Sequence, residues 1–182
     1  MSTPSIGTLA TTPVADRPHL LAPPVRAALA QRPDAGVYVA EIDPALADTT
    51  AFCAAYDVAP EVSANCVVVA GKRDGQLRVA ACMVLATTRA DVNGVVRRWL
   101  DVRKASFLSM DDAVAMTGME YGGITPIGVP GDWPILVDPA VAALPYAVIG
   151  SGVRHSKLAI PGATLAEWPG ASVVDGLGRP VQ

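Results

Sequence analysis

Two glycine-rich loops carry the residues best suited to hold an anion. The first runs Gly122-Gly123-Ile124-Thr125-Pro126-Ile127-Gly128. The second is Gly150-Ser151-Gly152, followed by Val153-Arg154-His155-Ser156-Lys157. Glycine lets a backbone approach a ligand closely, and consecutive N–H groups in such loops can form an anion-binding nest. The plainer reading is that these glycines and prolines mark turns. Asn65 can both donate and accept hydrogen bonds; alternatively it is a strand-edge amide that bonds nearby backbone. Lys157 offers a cation to a pocket, or else a solvated surface charge. Other chemistries fit poorly. Ser151 does not sit in a Gly-x-Ser-x-Gly elbow, and His155 has no obvious carboxylate to orient it. The second loop lacks the Gly-Lys-Ser/Thr ending of a P-loop. His19 and His155 with Cys53, Cys66 and Cys82 give no metal-ligand spacing. Neither a metal nor a cofactor is expected.

The elements that must position these loops alternate between strands and helices. Met1 to Asp16 is rich in Ser, Thr, Pro and Ala without periodicity, and reads as a mobile tail. A single domain is expected over residues 17–176, with a frayed tail at 177–182. Pro23 and Pro24 suit the first turn of a helix, and Val37 to Ile42 reads as a strand. Asp48 is a candidate N-cap for a helix through Tyr56. Ser63 to Ala70 and Leu77 to Leu85 read as two strands joined by a hairpin, because Asp74-Gly75 supplies the positive φ such turns need. Asp91 to Leu100 has the spacing of an amphipathic helix, with Val92, Val95, Val96, Trp99 and Leu100 toward the sheet. Ser109 and Asp112 resemble a capping box. Asp138-Pro139 opens another helix. Strands at Trp133–Val137, Tyr146–Ile149 and Lys157–Ile160 flank the second loop. The class is α+β, with one central mixed sheet.

Composition narrows the partners. The chain has 182 residues, 51% of them hydrophobic, enough for one domain with a substantial core. A formal charge of −3 argues against a strong nonspecific nucleic-acid binder, and no DNA partner is expected. Arg97, Arg98, Arg103 and Lys104 form a small basic patch, read either as a solvated face or as a phosphate contact. The odd number of cysteines without a Cys-x-x-Cys pair reads as reduced core residues of a cytoplasmic protein. No secretory signal or bilayer-spanning stretch is apparent.

The order Gly-Gly-Ile-Thr-Pro-Ile-Gly, then Gly-Ser-Gly-Val-Arg about two dozen residues on, resembles the YbaK/EbsC family. That family is similar to the editing domain inserted in bacterial prolyl-tRNA synthetases. The resemblance runs from about Val37 to Val174. It implies a curved, barrel-like, mostly antiparallel sheet flanked by helices, and a free-standing aminoacyl-tRNA deacylase acting on mischarged tRNA-Pro. Its partners would be the acceptor end of the tRNA and prolyl-tRNA synthetase. In such an enzyme the amides of Gly150, Ser151 and Gly152 would stabilise an oxyanion, with Asn65 placing a water or the ester amine. Gly122, Gly123, Ile124, Pro126, Gly128 and Lys157 would hold the substrate. One departure stands out: the family usually carries a lysine thought to be central to activity, where this chain has Ala64. An alternative follows, a disarmed binding module for a small molecule, an aminoacyl end or a protein partner. The sequence leaves the oligomeric state open.

Overall fold

The computed structural model describes residues 3–181. In chain order the elements are β1 (Thr11–Pro13), α1 (Pro23–Ala30), β2 (Tyr38–Glu41), α2 (Thr49–Ala55), β3 (Ala64–Arg73), β4 (Gln76–Leu85), β5 (Thr88–Ala90), a π-helical turn (Val92–Val96) running into α3 (Arg97–Trp99), β6 (Ala105–Phe107) and α4 (Met110–Thr117). They continue with β7 (Ile135–Val137), α5 (Pro139–Ala142), β8 (Ala147–Gly150), β9 (Ser156–Ile160), α6 (Gly162–Ala166), β10 (Ala171–Val173) and β11 (Gly178–Pro180). The class is α+β, as expected.

The strands form one sheet in the order β1-β2-β9-β8 and another in the order β10-β7-β4-β3-β6. A parallel bridge between Ser63 and Val148 links them. Among the named strands, β7 pairs in parallel with β10 and β4, and the other pairings are antiparallel. The β3–β4 hairpin turns at Asp74 and Gly75, whose φ values of 52° and 78° match a type I′ turn. Both faces of β4 are covered. Ala81 and Met83 join a core with α1, β7, β8 and β9, while Ala80, Cys82 and Val84 join a second core with Val96, Leu100 and Leu177. Burial pushes the Cys82 thiol up to about 12, so it is an inert core residue at neutral pH.

Three expectations are corrected. The stretch read as a mobile N-terminal tail enters the sheet: β1 pairs antiparallel with β2, and the Thr11 hydroxyl donates to the Pro4 carbonyl at 2.9 Å. Three residues are too few to show a period, so this strand is legible only through its partner. The C-terminal tail likewise begins with a fully buried Leu177, and β11 pairs with β5. Residues 1, 2 and 182 of these tails lie outside the described residues. The third correction is Trp99, which is 46% exposed instead of facing the sheet. The Val96 N–H donates to the Asp91 carbonyl, five residues back, at 3.1 Å. This wider turn shifts the helical phase, so Val96 and Leu100 point inward and Trp99 does not.

Candidate active site

The caps read from the sequence position one end of a cavity. Asp48 accepts the N–H groups of Thr50 (3.1 Å) and Ala51 (3.5 Å), which starts α2 beside β3. Across from α2, β8 and β9 bring Gly150 opposite Lys157 in antiparallel register. Ser109 caps α4 by accepting the Asp112 N–H at 3.1 Å, which sets Met110 and Ala113 on a third side. The cavity volume is about 560 Å³, within the range that holds a small ligand.

Of the residues singled out in the sequence, Asn65, Gly122, Ile124, Gly150 and Lys157 line this cavity, and so does Ala64. Lys157 is not a solvated surface lysine: it is only 9% exposed. Its Nζ donates to the Ala47 carbonyl at 3.0 Å and lies 5.2 Å from the centre of the Phe52 ring. Desolvation pushes its pKa below the ordinary lysine value; Arg154 adds to the shift and Asp48 opposes it. Asn65 accepts the Thr49 hydroxyl at 2.7 Å through Oδ1, which leaves its NH₂ group for the cavity.

The two glycine-rich loops are bonded to each other. The Glu120 N–H donates to the Gly152 carbonyl (2.8 Å), the Gly152 N–H to the Gly123 carbonyl (2.7 Å), and the Gly123 N–H to the Glu120 carbonyl (3.0 Å). The Gly152 amide, expected as an oxyanion donor, is therefore engaged in the loop pair, and so is the Gly123 amide. Gly152 has φ +86° and sits against Ala22 and Val25, where a side chain would not fit. Ser151 is fully buried away from the cavity. Its hydroxyl reaches the carbonyls of Ser156 (3.0 Å) and Val153 (3.2 Å) and lies 2.7 Å from the Ser156 hydroxyl. It is a structural tie, and no serine nucleophile is built around it. Pro126 and Gly128 do not line the cavity; Gly128 packs against the backbone at Pro24.

Arg154 lines the cavity but was passed over in the sequence reading, although it stands in the quoted motif. Its guanidinium donates to the carbonyls of Pro44 (3.0 Å) and Tyr121 (3.3 Å), and its N–H donates to the Glu120 carboxylate at 2.6 Å. It thus ties the first loop to the turn before α2 and lines the cavity. Its reach to Pro44, 110 positions away, has no local signal. Thr49, Asp48 and Tyr121 also line the cavity without having been named as site residues. Among the described residues, no cluster of three or more His, Cys, Asp or Glu side chains is placed to hold a metal. No helix among them is long and apolar enough to cross a membrane.

The sequence profile of the aminoacyl-tRNA editing domain family matches residues 43–167. No curated protein matches the sequence. Several solved structures share the fold. One comes from work on computational grafting of epitopes onto scaffold proteins, with a TM-score of 0.72 and 21% identity over 88% of this chain and 97% of that one. Another is described provisionally as a trans-editing enzyme for prolyl tRNA synthetase. Its TM-score is 0.71, with 20% identity over 85% of this chain and 97% of that one. A third, a hypothetical protein, has a TM-score of 0.68 and 18% identity over 78% and 90%.

Proposed function

As the chain belongs to the aminoacyl-tRNA editing domain family, we propose that it is a cytoplasmic, trans-acting deacylase that hydrolyses the ester of mischarged tRNA-Pro. Water adds to the ester carbonyl carbon, and the tetrahedral oxyanion then collapses. The bond to the ribose oxygen breaks, that oxygen takes the proton, and free amino acid and tRNA leave. The observation that carries the reading is the buried Lys157 ammonium on the wall of a cavity where Ala64 provides no cation. A charged donor held in a low-dielectric wall stabilises developing negative charge without reorganising. The Asn65 amide, held by Thr49, positions the water or the substrate amine. Arg154 fixes the facing loop. Prolyl-tRNA synthetase is the partner whose errors such an enzyme would clear. Selection by the apolar part of the wall is modest, about 1–3 kcal/mol for one methylene.

Ala64 supports a second reading, a binding module that has lost its hydrolytic group. Purified protein incubated with alanyl-, cysteinyl- and seryl-tRNA-Pro separates the two. The deacylase reading expects ester loss above the buffer rate, and about tenfold or greater slowing in Asn65→Ala, one lost hydrogen bond at about 1.4 kcal/mol. No ester loss at excess enzyme favours the binding module. In that case Ala64→Lys either creates a rate or does nothing, whereas in a working deacylase it alters an existing one.

A further inference from the structure

A second, larger depression of about 1300 Å³ opens beside the cavity, and Asn65, Val67 and Phe107 line both. Phe107 sits on β6, at the edge of the five-stranded sheet, and is 63% exposed at this junction. Beyond it the groove is bordered by Arg89, Arg98 and Arg179, against Asp91 and Asp175. Arg179 is held by Asp91 at 2.6 Å, and that carboxylate also accepts the Gly94 and Val95 N–H groups at 3.1 Å each. Arg89 and Arg98 are exposed, and neither is in an ion pair among the described residues.

We infer that this groove receives the unpaired 3′ nucleotides of the tRNA, with a base stacked on Phe107 and phosphates near Arg89 and Arg98. The inference rests on the deacylase reading of the cavity. If the esterified nucleoside occupies the cavity, the strand behind it must leave through an opening. Two openings meet at Asn65. The one beside α2 is lined by Asp48, Thr49, Thr50, Cys53, Asn65 and apolar residues, with neither an aromatic ring nor a cation. Single-stranded nucleic acid is held by aromatic faces and cations together, and of these two openings the Phe107 groove offers both.

The test compares two substrates, mischarged tRNA-Pro and the same amino acid esterified to adenosine alone, and adds binding of a short single-stranded RNA ending in CCA. Phe107 and Arg98 are exposed, so their replacement leaves the core intact. Phe107→Ala is expected to lower the kcat/KM ratio of tRNA to adenosine ester by about 5- to 150-fold, the range of one base–aromatic stack. Phe107→Trp restores the ratio. Arg98→Ala weakens RNA binding and flattens its salt dependence. If the wild type hydrolyses both substrates and neither Phe107→Ala nor Arg98→Ala moves the ratio, the groove assignment is overturned and the deacylase stands. If the wild type hydrolyses neither, the deacylase reading fails. RNA binding then decides the groove: dependence on Phe107 supports it, and no binding overturns it.

Discussion

Replacing Lys157 with methionine removes the ammonium while keeping an unbranched apolar stem against Phe52. If Lys157 donates to the oxyanion, its loss slows deacylation by about 10²–10³-fold. Stability responds differently. The variant loses the Nζ–Ala47 bond of 3.0 Å, and a bond from a charged donor contributes about 1.5–3 kcal/mol. It also no longer holds a charge that desolvation disfavours. These effects oppose each other, so the melting temperature should stay within about 4 °C of wild type, equivalent to about 1 kcal/mol. The pH dependence adds a second sign. Lysine with a lowered folded pKa binds fewer protons in the folded state than in the unfolded state, between the two pKa values. Wild-type stability therefore rises with pH through that window, while the catalytic rate, which needs the ammonium, falls through it. Methionine abolishes both slopes. Deacylation is followed by loss of labelled amino acid, corrected for buffer hydrolysis, with thermal melts alongside. A variant within about tenfold of the wild-type rate refutes the assignment, and so does a loss of rate that tracks a collapse of the melting temperature.

Two stability predictions follow from the loops and caps. Gly152→Ala places a Cβ at φ +86° and 2.9 Å from the Val25 side chain, so urea unfolding should show a loss of about 2–4 kcal/mol. Asp138 caps α5 through the Ala140 N–H (2.9 Å) and also accepts the Gly178 N–H (2.6 Å). Asp138→Ala should cost about 2–3 kcal/mol and speed amide exchange in β11 before it does so in β4; uniform exchange across both strands would contradict a local tie.

Local chemistry was legible where a side chain acts within a few residues of itself. The caps at Asp48, Ser109 and Asp138 and the Asp74-Gly75 hairpin all lie where short-range rules place them. The three-residue strands β1 and β11 were not legible, since their hydrogen bonds go to chain segments far away in sequence. Trp99 misled because a π turn breaks the regular period upstream of it. At the candidate site, residue types drew attention to the two loops but could not say which way they face. Ser151 turns into the core and Lys157, six positions on, lines the cavity. The long reach of Arg154 to Pro44 is a tertiary property with no signature in its neighbours.

The mutual hydrogen bonds of Glu120, Gly123 and Gly152 constrain how this protein can diverge. A change in either loop displaces the other, so the two tolerate alteration only in concert. Other parts of the wall are under no such restriction. Ala64, Met110 and Ala113 line the cavity, and trading a methyl there resizes the space without breaking a backbone bond. Divergence in what the cavity accepts would accumulate at those positions, leaving the paired loops as a fixed jaw.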